Sequence, residues 1–267
     1  MQGINEKTMP SDSLLSDFLD GLRSAPASAL LLDYDGTLAP FHVERDRAYP
    51  YPEVLPLIES IVRTGKTRVV IVTGRSVADM KTLLSPLDNL EIWGAHGMEH
   101  MLPGGVYQRI SINEEALDLL SKAKEWVIEA GLNPLAEFKP GGIAVHWRGM
   151  PDAEAGRVEA GIREGWTALA ESSGLKLLRF ESGLELRVAH PDKGDAVAAV
   201  IAESDRDAPI AYLGDDLTDE DSFRALNGRG LTVLVRPEPR ETLAALWLKP
   251  PHELIGFLER WLIRISA

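Results

Sequence analysis

Two kinds of pattern alternate along much of the chain: short apolar runs and longer mixed stretches. Apolar runs occur at 29–32 and 210–213, and residues 67–73 are rich in β-branched residues. Such runs are typical of strands buried on both faces of a parallel sheet, and shorter ones predict strands at 90–93 and 231–235. The mixed stretches predict helices near 14–22, 53–64, 76–84, 194–204, 219–226 and 252–265. The alternation indicates an α/β protein with a parallel sheet.

The pattern changes in the middle of the chain. Two short stretches around Pro103-Gly104-Gly105 predict a hairpin, and helices are expected from Asn113 to Ala130 and from Ala153 to Glu171. Short strands are expected at 137–139, 143–147, 176–180 and 184–188. This block therefore predicts a small antiparallel sheet with helices on one face.

We interpret this middle block as an insertion. Residues 111–190 are predicted to form a smaller domain within a main domain made of residues 1–110 and 191–267. A chain of 267 residues is long enough for both. Its hydrophobic content of 45% and charged content of 26% are ordinary for a globular protein.

Charge and composition narrow the classes of partner. The net charge of −13 argues against nucleic acid or an anionic membrane, because both bind basic surfaces. A small anionic substrate stays compatible, since a metal ion and a few cations can reverse the local field. The absence of cysteine excludes disulfides, thiol catalysis and cysteine-bound zinc. No apolar run approaches the ~20 residues of a membrane span, and the polar segment Met1–Ser13 lacks a signal-peptide core, so we expect a cytoplasmic protein.

The first chemical signal is a pair of acids at the end of the strand predicted at 29–32. Asp33 and Asp35 follow it directly. Ligands of open parallel sheets bind beyond the carboxyl ends of the strands. Two carboxylates this close repel each other, which raises one pKa unless a cation lies between them. The pair predicts a hard metal ion that prefers oxygen ligands, although turn-forming acids are the alternative because Asp-Gly is a common turn dipeptide.

Three further segments carry similar signals. Thr73 ends a strand and precedes Gly74, so its hydroxyl and the exposed N–H groups could bind a phosphoryl oxygen. Helix capping is the alternative. Lys193 lies in the first turn of a helix, where the dipole disfavours a cation, so it could face an anion rather than solvent. Five acids fall within residues 215–221 after another strand, which is a natural place for a third metal carboxylate.

In this order, the four segments resemble the motifs of the haloacid-dehalogenase superfamily. They are Asp33-Tyr34-Asp35-Gly36-Thr37, Thr73, Lys193 and the run Gly214–Asp219. Within the superfamily, the chain is similar to trehalose-6-phosphate phosphatases. That similarity rests on residues 94–99, 137–139, 145–148, 184–187 and 214–223. It extends from about Ala29 to the C-terminus and implies a Rossmann-like parallel-sheet core with an inserted, smaller α/β cap domain.

The resemblance implies a catalytic mechanism. Asp33 would be the nucleophile that forms a phosphoaspartate. Mg²⁺ would be held by Asp33, the backbone carbonyl of Asp35 and Asp215. Asp35 would protonate the leaving sugar oxygen and then deprotonate water. An aspartate at this position is typical of phosphatases and phosphomutases, whereas a threonine would resemble the superfamily's ATPases.

The remaining motif residues would support these groups. Thr73 would hold a phosphoryl oxygen, and Lys193 would offset the negative charge of Asp33 and the phosphate. Asp216 and Asp219 would orient the metal ligands from behind.

The cap is expected to close over the sheet and to recognise the sugar. Glu137, Lys139 and Glu185 are expected to bind hydroxyls of the distal sugar. His146 and Arg148 are further candidates, with a role in the cap surface or in strand pairing as the alternative. His96 would shape the junction of core and cap. The full set of substrate-binding candidates is Gly74, Arg75, His96, Glu137, Lys139, His146, Arg148 and Glu185.

The predicted reaction is the hydrolysis of trehalose 6-phosphate to trehalose and phosphate. A phosphatase for another glycosyl phosphate, such as sucrose 6-phosphate or glucosylglycerol phosphate, is the first alternative. A sensor that binds a sugar phosphate without turnover is a second. The chain is too short to contain its own glycosyltransferase domain, so it could also work beside a trehalose-6-phosphate synthase.

Overall fold

A computed structural model describes residues 11–87, 89–171, 174–180 and 182–267 of the protein. The predicted N-terminal arm lies largely outside these described residues. The strands are β1 (Ser28–Leu32), β2 (Thr67–Val72), β3 (Glu91–Gly94), β4 (Glu99–Met101), β5 (Tyr107–Arg109), β6 (Ala136–Lys139), β7 (Gly142–His146), β8 (Leu175–Phe180), β9 (Gly183–Val188), β10 (Ile210–Gly214), β11 (Leu231–Val235) and β12 (Leu246–Leu248). The helices are α1 (Ser11–Ser24), α2 (Val54–Arg63), α3 (Val77–Leu83), α4 (Glu114–Glu129), α5 (Asp152–Ala170), α6 (Lys193–Glu203), α7 (Glu220–Leu226) and α8 (His252–Ser266).

Eight strands form the main sheet in the order β12-β11-β10-β1-β2-β3-β4-β5. All neighbours from β12 to β3 are parallel, and β4 and β5 add antiparallel strands at one end. The predicted α/β architecture with a parallel sheet is confirmed. The predicted hairpin at residues 98–110 is confirmed as β4 and β5, and it extends the main sheet.

Burial on both faces explains the apolar runs of the central strands. In β1, Leu30 and Leu32 belong to the cluster that packs against α1, α2 and α8. The alternate residues Ala29 and Leu31 belong to the cluster beneath α6 and α7. Every residue of β1, β10 and β11 is buried. A strand covered by helices on both faces has no polar face, because side chains alternate between two apolar layers.

The second sheet is antiparallel, with the order β6-β7-β9-β8. Leu184, Leu186 and Val188 of β9 pack into a cluster with residues of α4 and α5. The intervening Glu185 and Arg187 lie on the opposite face, because strand side chains alternate. The predicted small antiparallel sheet with helices on one face is confirmed. The domain boundaries at residues 110 and 190 stay a prediction.

Two details of the main domain differ from the prediction. The edge strand β12 was not predicted, because three residues are too few to establish an alternating pattern. The helix predicted from residue 219 begins at Glu220 and is preceded by a 3₁₀ turn, Leu217–Asp219. Among the described helices, none is both long enough and apolar enough to cross a membrane.

Candidate active site

Parallel pairing brings the ends of three neighbouring strands to one edge of the main sheet. β1 lies between β2 and β10, and it is parallel to both. Asp33, Thr73 and Asp215 directly follow these three strands. This is the carboxyl edge, where the sequence predicted the chemistry to be.

Lys193 reaches this edge from the first turn of α6. Its Nζ donates to Asp33 Oδ1 at 2.7 Å and to Asp219 Oδ1 at 2.8 Å. A capping box between Asp192 and Asp195 fixes the start of the helix. Burial disfavours the ammonium charge, yet Asp219 and Asp33 raise the pKa of Lys193 well above its usual value. The lysine therefore faces anions, as its position in the helix predicted.

Asp219 is held by donors on both of its oxygens. Besides Lys193, its Oδ1 accepts from the hydroxyl of Tyr212 at 2.5 Å. Its Oδ2 accepts from the backbone N–H groups of Asp215 and Asp216, each at 3.0 Å. The side chain of Asp216 caps the same 3₁₀ turn by accepting from Leu217 N–H. Asp219 thus shapes the loop that carries Asp215.

The acids at this edge suit a divalent cation. Oxygens of Asp33, Asp215 and Asp219 all lie within 4.8 Å of one another. Asp215 Oδ1 is buried, and it has no hydrogen-bond partner among the residues that the structure describes. Both carboxylate oxygens of Asp219 already accept hydrogen bonds. Asp33 and Asp215 are therefore the carboxylates that could bind a hard ion.

The electrostatics of the two acids show the same need for positive charge. Burial, with a further contribution from Asp219, raises the pKa of the Asp33 carboxyl to about 7. Burial and the neighbouring Asp33 raise the pKa of Asp215 well above its usual value. Gly36 makes the close approach feasible: it has φ +80°, and a Cβ there would lie 2.2 Å from Asp215 Oδ2.

Two arginines from the segment after β11 support the loop that carries Asp215 and Asp216. Arg240 donates from Nη2 to the carbonyl oxygen of Asp216 at 2.7 Å and from Nε to that of Asp215 at 3.3 Å. Arg236 Nη1 also reaches the Asp215 carbonyl, at 3.2 Å. The sequence analysis missed both residues, because nothing in the local sequence indicates a contact about 20 residues away with the loop.

Asp35 is held by an arginine rather than by the acid cluster. Arg75 donates from Nε to Asp35 Oδ2 at 2.7 Å and from Nη2 to Oδ1 at 2.6 Å. Its Nη1 donates to the backbone carbonyl of Arg45 at 2.8 Å. Arg75 is buried, and these contacts orient Asp35. Its predicted contact with substrate stays a prediction. Thr73 is also fully buried, with its hydroxyl accepting from Arg75 N–H at 3.1 Å.

Across the cleft, the second sheet presents a cluster of charged groups. Register places Glu137 and Glu185 on either side of the small residue Ala144, on the face opposite α4 and α5. Lys139 Nζ lies 2.9 Å from Glu185 Oε1 and 3.6 Å from Glu137 Oε2. His146 Nε2 lies 3.2 Å from Glu137 Oε2. The three residues expected to bind the distal sugar are thus adjacent.

The Lys139 ammonium and neighbouring hydrogen-bond donors keep both carboxylates of this cluster charged. Burial favours the neutral form of Glu137, but Lys139 and His146 lower its pKa to about 2. Burial also opposes the charge on Glu185, whereas Lys139 and His96 hold its pKa well below the usual value. Ionised carboxylates are acceptors only, and are thus suited to hydroxyl donors.

His96 joins the two sheets through a strained turn after β3. Ala95 and His96 have φ of +47° and +56°, in the left-handed region that non-glycine residues rarely adopt. Backbone bonds to Arg75 and Thr73 carbonyls hold the turn. The His96 ring packs over Gly74, where a Cβ would lie 2.6 Å from Nε2. Its Nε2 lies 3.1 Å from Glu185 Oε2, so His96 contacts the cap.

The burial of His96 predicts a pH-dependent stability. Burial lowers the pKa of His96 to about 4, against 6.5 for the ordinary side chain. Between these values the unfolded chain binds a proton that the folded protein does not. We therefore expect the free energy of unfolding to fall by up to about 3 kcal/mol through this group as pH drops from 6.5 to 4.

Urea unfolding at several pH values checks this expectation. At each pH, the free energy of unfolding of His96→Gln is subtracted from that of the wild type. The difference separates the contribution of His96 from that of acids that titrate in the same range. His252→Gln, at an exposed position, is the matched control. Identical pH dependence in wild type and His96→Gln would contradict the prediction.

One cleft brings most of the predicted site together. The predicted residues that line it are Asp33, Asp35, Gly74, Arg75, His96, Glu137, Lys139, His146, Arg148, Glu185, Lys193, Asp215 and Asp216. Thr73 and Asp219 are fully buried. The cleft is also lined by residues that the sequence analysis did not single out, namely Phe41, Arg45, Phe180 and Thr218.

Solved structures share this architecture. The C-terminal domain of a Candida albicans trehalose-6-phosphate phosphatase superposes with a TM-score of 0.80 at 20% identity, covering 93% of this chain and 96% of that one. A haloacid dehalogenase-like hydrolase from Bacillus subtilis gives 0.60 at 18% identity, covering 87% and 99%. The fold is therefore that of the haloacid-dehalogenase-like hydrolases.

Within that class, a family model described as trehalose-phosphatase matches residues 31–246. The chain belongs to this family. A trehalose-phosphate phosphatase of Mycobacterium ulcerans is 30% identical over 93% of this chain, and a probable trehalose-phosphate phosphatase C of Arabidopsis thaliana is 32% identical over 93%. The matched part is 64% of the mycobacterial relative and 81% of the plant relative.

Proposed function

We propose that this protein is a Mg²⁺-dependent phosphatase that hydrolyses trehalose 6-phosphate to trehalose and phosphate. The observation that carries the proposal is the pairing of two unlike sites in one cleft. Asp33, Lys193 and Asp215 form a site suited to a phosphoryl group and a cation. Glu137, Glu185 and Lys139 face that site with two acceptors and a donor suited to sugar hydroxyls. Membership of the trehalose-phosphatase family supports the choice of substrate.

The cation would be held by Asp33, Asp215 and the backbone carbonyl of Asp35. When bound, Mg²⁺ would neutralise phosphate charge, so that an anionic nucleophile can approach. The unpartnered Asp215 Oδ1 supports this assignment. Asp219 and Asp216 would keep the loop in place.

The first step transfers the phosphoryl group to the protein. An oxygen of Asp33 attacks phosphorus, and a new phosphorus–oxygen bond forms while the bond from phosphorus to sugar O6 breaks. Asp35 gives its proton to O6, which leaves as a hydroxyl. Lys193 already donates to Asp33 Oδ1, so the other carboxylate oxygen is the one available for attack. Thr73 would hold a phosphoryl oxygen.

The second step releases phosphate. A water molecule attacks the phosphorus of the phosphoaspartate and gives a proton to Asp35, and the phosphorus–oxygen bond to Asp33 breaks. Arg75 supports this step because its two donors hold both carboxylate oxygens of Asp35 in place. Asp33 is then free for another cycle.

Sugar recognition falls to the cap. Glu137 and Glu185 would accept from hydroxyls of the distal glucose, and Lys139 would donate to one. His146, Arg148, His96 and Gly74 contribute to the wall of the cleft. Their substrate contacts, the cytoplasmic location and any partnership with a synthase stay predictions from the sequence.

Metal removal is expected to silence the enzyme. In excess EDTA, phosphate release from trehalose 6-phosphate should fall to background, because the Lys193 ammonium alone then offsets the charges of Asp33, Asp215 and the phosphate. Added Mg²⁺ should restore it.

The melting temperature is a readout that needs no activity. It should rise with Mg²⁺ in the wild type, because an ion that binds only the folded state stabilises that state. In Asp215→Asn this rise should be much smaller. Full activity in EDTA would contradict the metal assignment.

The substrate is tested with a panel of phosphate esters. Phosphate release is compared for trehalose 6-phosphate, sucrose 6-phosphate, glucosylglycerol phosphate, glucose 6-phosphate and p-nitrophenyl phosphate. A strong preference for trehalose 6-phosphate supports the proposal. Preference for another sugar ester would keep the mechanism and replace the substrate. Binding without release from any ester would favour a sensor.

Replacing Glu137 should separate sugar recognition from chemistry. We expect Glu137→Ala to lower kcat/KM on trehalose 6-phosphate by about 10- to 100-fold, the range for losing hydrogen bonds to a charged group. On p-nitrophenyl phosphate, which has no sugar, the change should be less than about 3-fold, well under one such bond. Glu164→Ala on the exposed surface of α5 is the control. Equal losses on both esters would remove Glu137 from sugar recognition.

A further inference from the structure

A core loop that carries none of the four sequence motifs contacts the cap at several points. This loop is the segment Phe41–Arg47, and we call it the bridging loop. The Arg148 guanidinium lies 4.4 Å from the centre of the Phe41 ring, and its Nη1 donates to the His42 carbonyl at 3.3 Å. Arg45 Nη1 lies 2.5 Å from Glu137 Oε2. The bridging loop therefore meets the cap beside the residues assigned to the sugar.

Arg45 is the charged core residue at this contact. Its side chain is 30% exposed, whereas that of Glu137 is 16% exposed, so the pair is partly shielded from water. Partly shielded ion pairs are screened less than surface pairs. The main chain of the same residue accepts from Arg75, which in turn holds Asp35. One residue thus lies between the predicted acid–base group and the predicted sugar ligand.

Within the cap, the Glu137 carboxylate has few close partners. Lys139 is nearer to Glu185 than to Glu137, at 2.9 against 3.6 Å. His146 contributes a single ring nitrogen at 3.2 Å. Arg45 is therefore the nearest cation to this carboxylate among the described residues, and it comes from the other side of the cleft.

We infer that Arg45 is a positioning residue for sugar recognition. It reaches from the core to fix the Glu137 carboxylate in the orientation that accepts sugar hydroxyls. This contact requires the cap to lie against the core. Arg45 would therefore support sugar recognition only when the cap is in that position. The inference rests on the proposed function, because it assigns Glu137 to the sugar.

The test compares Arg45→Ala, Arg45→Lys and the matched control Arg47→Ala. Arg47 belongs to the same loop, but its side chain is 64% exposed and pairs with Glu44 instead of the cap. Arg45→Ala should lower kcat/KM on trehalose 6-phosphate by about 5- to 20-fold, mostly through KM, as expected for weakening an ionic hydrogen bond. Activity on p-nitrophenyl phosphate should fall much less, because Arg75 binds a backbone carbonyl that alanine retains. Arg45→Lys should recover part of the loss, and Arg47→Ala should match the wild type.

A double-mutant cycle separates positioning from a merely structural role. If Arg45 acts through Glu137, the variant with both residues replaced by alanine should be no worse on trehalose 6-phosphate than Glu137→Ala alone. Fully additive losses would overturn the inference. Equal losses of Arg45→Ala on both esters would also overturn it.

A substrate-free readout keeps this test distinct from the proposed function. Hydrogen exchange of residues 136–139 should be faster in Arg45→Ala than in the wild type and in Arg47→Ala. If the wild type shows no preference for trehalose 6-phosphate, the proposed function fails, and exchange decides whether Arg45 holds the cap strand. Unchanged exchange would overturn the inference by itself.

Discussion

Asp33→Asn is expected to reduce phosphate release from trehalose 6-phosphate by about 10⁴-fold or more, the scale seen when a nucleophile is removed. The amide lacks the anionic oxygen that attacks phosphorus, and it is a poorer ligand for a cation. The fold should survive. Burial already raises the pKa of the Asp33 carboxyl to about 7, so a neutral side chain suits this position at neutral pH.

Steady-state phosphate release and thermal melting together check this prediction. Asp17→Asn, at an exposed position of α1, is the control for replacing an aspartate. Rapid quench followed by mass spectrometry should detect a phosphorylated wild-type protein and no such adduct on Asp33→Asn. A variant that keeps a tenth of the wild-type rate would remove Asp33 from the role of nucleophile. A variant that does not melt cooperatively would show instead that the Asp33–Lys193 pair is needed for folding.

The carboxyl edge of the sheet was predictable because its causes are local. The run before Asp33 is apolar at every position, and this occurs only where both faces of a strand are covered. Once β1, β2 and β10 are parallel neighbours, the residues that follow them must meet. The order of motifs then identified Asp33, Thr73 and Asp215 without any knowledge of distances.

The cap was predictable for a related reason. In β9, leucine and valine alternate with Glu185 and Arg187, and an alternating strand packs its apolar side against helices. Charged residues on the other side have to face either solvent or a partner. The sequence could not tell which, because the choice depends on how the cap lies over the core.

Contacts between distant loops were not predictable. Arg45, Arg236 and Arg240 lie in segments without periodicity, and their partners are far away in sequence. The pairing of the Arg75 guanidinium with Asp35 is a further contact that the sequence did not indicate. Long side chains choose partners through tertiary packing, so residue type alone leaves the choice open.

The two sides of the cleft differ in their charge balance. On the core side, Asp33, Asp215 and Asp219 cluster around the single ammonium of Lys193. On the cap side, Glu137 and Glu185 are matched by Lys139 and Arg45. The core cluster thus has an excess of negative charge, which a divalent cation would offset before a phosphate approaches. The cap cluster is balanced, which suits the neutral hydroxyls of a sugar.

Asp35→Asn is expected to lower kcat on trehalose 6-phosphate by about 10²- to 10⁴-fold, the range of general acid–base catalysis. The amide cannot protonate the leaving sugar oxygen or accept a proton from water. On p-nitrophenyl phosphate the two steps should separate. Nitrophenolate leaves without a proton, so the phosphoaspartate still forms, whereas its hydrolysis still requires a base.

Stopped-flow absorbance with p-nitrophenyl phosphate tests this separation. Asp35→Asn should give a burst of nitrophenolate equal to the enzyme concentration, followed by a slow steady state. Asp46→Asn, at an exposed position of the bridging loop, should behave as the wild type does. A slow reaction without a burst would mean that Asp35 acts before the phosphoryl group is transferred, for example by holding Arg75 or the cation. Both roles of Asp35 predict the same loss on trehalose 6-phosphate. Only p-nitrophenyl phosphate, whose leaving group needs no proton, can therefore distinguish proton transfer from positioning.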